Sequence, residues 1–119
     1  MTKNLNVHDL RVWEAACLLS NRIRDAAVQC SASGYGDLWR QATRAAESIG
    51  TNIAEGCGRP TIADRKRFFA MAIGSLRETQ HHLLRCRDYD LIPERDFQQT
   101  IGLASVTRRM LESLVKRMV

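Results

Sequence analysis

QATRAAESIGTNIAEGCGRP, Gln41 to Pro60, is the stretch whose reading decides the fold. Its apolar residues Ala42, Ala45, Ala46, Ile49 and Ile53 recur at the spacing of one helix face, with no strand-like alternation. Because that face is mostly alanine, a neighbouring helix can approach closely. Beside it run Gln41, Arg44, Ser48, Asn52 and Glu55, at successive steps of 3, 4, 4 and 3, which makes one continuous polar line on the same helix. The run then closes on punctuation. Gly56 is placed to end the helix in a left-handed cap, Gly58 lets the chain turn, and Pro60 keeps the helix from resuming.

A second polar line follows the turn: Arg67, Ser75, Glu78 and His82. If the two helices are antiparallel about GCGRP, Arg44 comes level with Ser75 and within reach of Glu78. Asn52 and Glu55 then approach Asp64 to Phe68, with Arg67 as counter-charge. The expectation is a seam that satisfies itself through pairs between helices.

Outward from this pair, SASGYGD (residues 31–37) and RDYDLIP (residues 87–93) are the other breaks. They divide the chain into four predicted helices, about 7–30, 37–55, 62–87 and 93–118, within a single domain of residues 1–119. The first helix places Leu10, Trp13, Ala16, Cys17, Leu19, Ile23, Ala26, Ala27 and Cys30 on an apolar arc of roughly 200°. Leu38 joins the apolar face of the second helix. The third has Thr61 as its cap with Asp64 at the capping-box position, and a core face of Phe68, Ala72, Leu76, Thr79, Leu83 and Cys86. The fourth opens at Pro93 with Glu94 and Asp96 at its positive end, and closes with Lys116 and Arg117 at its negative end. An all-α, antiparallel up-down-up-down four-helix bundle satisfies the inner faces. The wide apolar arcs of helices 1 and 4 leave surface over, which implies association, most simply with further copies of the same chain.

The 119 residues carry 18 Lys and Arg against 13 Asp and Glu, a net charge of +5, and 15 of the 18 are arginine. Guanidinium is the side chain suited to bidentate phosphate or carboxylate pairing. Residues 59–87 hold seven basic side chains against two acids, and residues 97–119 four against one, so the basic character lies on helices 3 and 4. The candidate nucleic-acid-binding residues are Arg59, Arg65, Lys66, Arg77, Arg108, Arg109, Lys116 and Arg117. Trp13, Phe68 and Phe97 fall on predicted core faces and only Tyr35, Trp39 and Tyr89 are expected at the surface, so backbone charge rather than base stacking would carry binding to RNA or DNA. An acidic protein partner is the alternative.

Cys17, Cys30, Cys57 and Cys86 lack C-x-x-C spacing and read as thiols in a reducing cytoplasm. The N-terminal MTKNLNVHDLRVWEAACLL is too interrupted by charge for a signal peptide, and no run of 18 apolar residues is present for a membrane. A cytoplasmic protein is expected. His82 and Cys86 are four apart, but with no second ligand pair they read as a core-edge histidine beside a buried thiol; no metal or cofactor is implied. Ser48 and Ser75 sit mid-helix without a nucleophile elbow or oxyanion loop, so no catalytic residue is assigned and the chain is read as non-enzymatic.

The run Q-x-x-R-A-x-x-S-I-x-x-N-I-A-E-G-x-G-R, Gln41 to Arg59, followed by R-F-F-A-M-A-I-G-S-L-R-E, Arg67 to Glu78, resembles the four-helix-bundle proteins encoded in intervening sequences of bacterial 23S rRNA genes. The resemblance implies a cytosolic bundle assembling into a homopentameric ring, with no established enzymatic activity. It makes Gln41, Arg44, Ser48, Asn52, Glu55, Gly56, Arg67, Ser75 and Glu78 the family motif. The fold is also similar to that of the accessory proteins of diversity-generating retroelements, basic rings that bind nucleic acid and a reverse transcriptase. Thr43 stands where a second arginine is common, and Thr79 where leucine is usual.

Overall fold

A computed structural model describes residues 5–6, 10–30 and 34–118. The predicted helix start at Val7, the loop residues Ser31 to Ser33 and the C-terminal Val119 lie outside the described residues. Four helices account for the rest: α1 (Arg11–Gln29), α2 (Gly36–Cys57), α3 (Ile62–Asp88) and α4 (Glu94–Lys116), with no strand among the described residues. Helices adjacent in sequence pack on each other and α1 closes against α4, whereas the backbones of α1 and α3, and of α2 and α4, do not approach closely. The α2–α3 contact is the most extensive. The four surround one core in a rod measuring 52 × 21 × 20 Å.

Three helix ends differ from expectation, each for a local reason. Leu10 is extended (φ −91°, ψ 115°) and precedes α1. Gly56 is not a left-handed cap, because α2 runs through it to Cys57 and ends on Gly58 in a right-handed conformation (φ −85°). The left-handed cap occurs instead at Asp90 (φ 57°), after α3. There the Leu91 N–H donates to the Cys86 carbonyl at 2.8 Å and the Asp90 N–H to the Arg87 carbonyl at 3.0 Å, a Schellman motif that tucks Leu91 into the core. With aspartate in place of glycine, the motif carried no glycine signal in the sequence.

The other ends follow the reading. Thr61 Oγ1 accepts the Asp64 N–H at 3.1 Å. The Asp64 carboxylate does not complete a capping box; it pairs with Arg67 at 2.9 Å and approaches Arg59 at 3.8 Å. Pro93 is the residue before α4, whose first turn holds Glu94 and Asp96 and whose last holds Lys116. The core is built on Leu19, Ile23, Ile49, Ile53, Leu76, Leu83, Phe97 and Leu111, all 2 % exposed or less. Thr79 and Thr107 are fully buried, each donating its hydroxyl to the carbonyl four residues back, at 2.8 and 2.7 Å, so the polar group costs little.

Neighbouring positions on one helix are 100° apart, and that step corrects the expectation that Phe68 lies on the core face of α3. Phe69, not Phe68, is the fully buried ring of α3, and Phe68 is half-buried. Trp39, expected at the surface, is 3 % exposed, while Trp13, expected in the core, is half-buried. Exposed apolar side chains occur on α1 (Leu18, Val28) and α4 (Val106), but Met71 and Leu84 of α3 are exposed to a similar degree, so the surplus is not confined to α1 and α4.

Candidate nucleic-acid interface

The polar line of α2 does not pair across to α3. Ser48 Oγ donates to the Ala45 carbonyl at 2.8 Å and Asn52 Nδ2 to the Ser48 carbonyl at 2.9 Å, so both short side chains bond to their own helix. Glu55 pairs with Arg59 at 3.1 Å, Arg67 with Asp64, and Glu78 lies 3.5 Å from His82 Nε2 on its own helix. Arg44 does not reach Ser75 or Glu78. It is exposed and turned toward the α1 side, where it lines a groove with Arg24 and Val28. Gln41 is exposed and Ser75 half-buried, its carbonyl taken by Thr79. Side chains with at most one carbon past Cβ, as in Ser48 and Asn52, reach their own helix's carbonyls sooner than another helix, which is why the expected cross-helix ladder is absent at these positions.

What lies between α2 and α3 at this level is packing. A Cβ on Gly56 would stand 2.6 Å from Phe69 Cε1 and 2.9 Å from Cδ1, well inside contact distance. Glycine is needed here because the two helices cross at Phe69. The corner beyond is closed by arginines. The Arg59 and Arg67 guanidiniums lie 4.4 and 4.6 Å from the Phe68 ring centroid, and Arg65, only 4 % exposed, donates Nε to the Arg59 carbonyl at 2.8 Å. Two of the proposed nucleic-acid residues, Arg59 and Arg65, are thus engaged in holding the turn, and Arg65 is not available to a phosphate.

The remaining basic side chains divide. Arg108 is half-buried, 3.3 Å from Glu112 and within 3.4 Å of Gln80. Arg77, Arg109, Lys116 and Arg117 are exposed and Lys66 is half-buried, and among the described residues none of these five is ion-paired. Arg109 and Arg117 come together with Arg11 of α1 around a groove of about 550 Å³ whose apolar wall is Leu10, Val12, Met110 and Leu114. Arg11 was missed by a reading that took charge helix by helix; it reaches the site only because α1 packs on α4. Three guanidinium forks around one groove can each bind a phosphate or carboxylate through two parallel N–H donors.

The sequence profile of the 23S rRNA-intervening sequence proteins matches residues 8–113. The chain belongs to that family. A crystal structure of a protein with unknown function from the S23 ribosomal protein family of Bacteroides thetaiotaomicron has a TM-score of 0.80, covering 88 % of this chain and 98 % of that one at 20 % identity. That likeness is one of fold. No curated protein matches the chain.

In this intervening-sequence protein Cys57, Cys86 and His82 are buried, Cys17 and Cys30 half-buried, and His81 exposed. Cys86 is fully buried, and burial, helped by the nearby Cys30 thiol, pushes its thiol up to about 11. Burial also raises Cys57, against an opposing pull from Arg65, and raises Cys17, reinforced by Glu47. His82 is 7 % exposed and its Nδ1 has no partner among the described residues. No three of His, Cys, Asp and Glu gather at metal-binding range among the described residues, and no described helix is long and apolar enough to cross a membrane.

Proposed function

We propose that the chain is a non-enzymatic, homo-oligomeric ring of antiparallel up-down-up-down four-helix bundles that binds RNA or DNA through arginine and lysine of α3 and α4. The observation that carries binding is the groove ringed by Arg11, Arg109 and Arg117, none of them ion-paired among the described residues. Nonspecific phosphate attraction dominates nucleic-acid affinity, and guanidiniums with no ion pair among the described residues can meet phosphate without first breaking a salt bridge there. The antiparallel course is supported by contacts that descend one helix as they climb the next: Trp13 beside Gly50, Ser20 Oγ bonded to Glu47 at 2.7 Å, and Val28 sharing a groove with Trp39. Exposed Leu18, Val28 and Val106 support association.

The test is fluorescence anisotropy against unrelated RNA and DNA oligonucleotides over a salt series. Arg109→Glu with Arg117→Glu should weaken binding to all sequences and flatten the log–log salt slope by about 0.9 for each duplex phosphate that is no longer neutralised. Arg22→Glu with Arg95→Glu, matched in charge, should do much less. No binding at about 50 mM salt, or equal losses from both pairs, refutes the reading. The second reading is a scaffold ring meeting an acidic protein partner; a reverse transcriptase is a partner that only the fold likeness suggests. This reading is favoured by the Leu10, Val12, Met110 and Leu114 wall, and would show as nuclease-resistant capture with no oligonucleotide binding.

A further inference from the structure

A different groove, of about 360 Å³, runs along the α1/α2 edge. Its apolar lining is Ala27, Val28 and Trp39, and it also carries Arg24, Arg40 and Arg44. Val28 is 70 % exposed, the largest value among the exposed large apolar side chains of the described residues. Trp39 is 3 % exposed, yet its indole N–H lacks an acceptor among the described residues. Arg40 has a neighbouring carboxylate in Asp37 at 2.8 Å, Arg24 a loose one in Asp25 at 4.0 Å, and Arg44 is not ion-paired among the described residues. An apolar lining beside guanidiniums fits an aromatic or aliphatic knob flanked by carboxylates.

The chain itself presents such a knob. At the α3–α4 corner the sequence reads Asp88-Tyr89-Asp90, followed by Glu94 and Asp96. Tyr89 is 44 % exposed, although its hydroxyl accepts from Arg85 Nη2 at 2.7 Å and Arg85 also pairs with Asp88 at 3.1 Å, so the carboxylates the corner offers are the exposed Asp90, Glu94 and Asp96, with Arg95 between the last two. The Tyr35 and Tyr89 rings stack at 5.0 Å, which brings the corner to the same end of the rod as Gly36 and the groove. Nevertheless the corner does not line its own groove: one surface belongs to the α1/α2 edge and the other to the α3–α4 connection. They are separate, complementary in charge, and at one height.

We propose that the acidic α3–α4 corner of one copy docks into the Arg24, Arg40 and Arg44 groove of the next, with Tyr89 against Val28. The proposal rests on the homo-oligomer reading and gives it a specific contact. Because two different surfaces meet, the contact is head-to-tail; because both lie at one end, successive copies are related with little rise, the condition for closing a ring rather than growing a filament. The exposed charges would contribute mainly register and exclusion of wrong pairings, and the apolar knob the affinity.

Light scattering on two variants tests it. A groove variant, Arg40→Glu with Arg44→Glu, and a corner variant, Asp90→Asn with Glu94→Lys, should each lose the wild-type assembly and run at 13.5 kDa with helical circular dichroism unchanged. Mixed one to one, they retain a single intact groove and a single intact corner per pair, so the mixture should stop at a dimer. Val28→Lys, at an exposed position with no packing role, should dissociate the assembly as the groove variant does. If the wild type is itself a monomer at about 100 µM, far above the Kd of a specific contact, the oligomer reading falls. If the wild type is an oligomer and all three variants keep its mass, the docking falls and the oligomer reading stands. Loss of oligonucleotide binding by the groove variant with mass unchanged would assign the groove to nucleic acid and also overturn the docking.

Discussion

Gly56→Ala isolates the α2–α3 crossing in one methyl group. Within the helix interior, alanine should be the better residue by about 1 kcal/mol. Here the added Cβ would stand 2.6 Å from Phe69 Cε1 and 3.2 Å from Phe68 Cβ, so the ring or the helices must yield by about an ångström to restore contact distance. Phe69 is fully buried and cannot swing into solvent. Overpacking of a well-filled core costs about 1–3 kcal/mol, occasionally more, so after the propensity gain the variant should be destabilised by up to about 2 kcal/mol. Gly74 and Gly102, also helical, have nothing within 4 Å of an added Cβ. Alanine at either should stabilise by up to about 1 kcal/mol, the opposite sign from the same chemical change. Urea unfolding followed by circular dichroism, at one protein concentration and again after dilution to separate any contribution of association, reads all three midpoints. A Gly56→Ala midpoint at or above wild type would refute the close-crossing argument.

Arg65→Met keeps the buried stem but strands the Arg59 carbonyl; a loss of about 1.5–3 kcal/mol in urea unfolding, with oligonucleotide affinity unchanged at equal foldedness, is expected. Asp90→Gly removes a left-handed strain of about 1 kcal/mol against a slightly smaller unfolded-state entropy cost, and should raise stability by a few tenths of a kcal/mol by the same assay. Burial pushes the folded Cys86 thiol up to about 11, against 9.0 for an ordinary thiol, so its contribution is intact below about pH 9 and lost as pH rises through about 11. The wild type should therefore lose up to about 2 kcal/mol relative to Cys86→Ala between pH 8 and 11, and parallel profiles would contradict the burial argument. An aromatic disulfide reagent should modify Cys17 and Cys30, which are half-buried, well before Cys57 and Cys86, which should react only as the chain opens.

Much of the fold was legible because the signals are local. Alanine and isoleucine at helical spacing, Thr61 before Asp64, and Pro93 before two acids all act within one turn of the chain, and four helices sit close to where those signals place them. The candidate interface was legible as charge only in part. Arg109, Lys116 and Arg117 were readable on α4, while Arg65 turned inward and Arg11 arrived from another helix.

By itself, then, the sequence determined the number, order and approximate ends of the helices, since backbone hydrogen bonding and side-chain period do not need a neighbour to be read. Tertiary structure decided which residue of an adjacent pair faces inward, as with Phe69 over Phe68, because a 100° step is smaller than the width of either helix's apolar arc. It turned Gly56 from a cap into a crossing point, sent Ser48 and Asn52 back to their own carbonyls, and buried Trp39. Those outcomes depend on the distance and rotation between helices, which packing of the whole core sets and no spacing along one helix encodes.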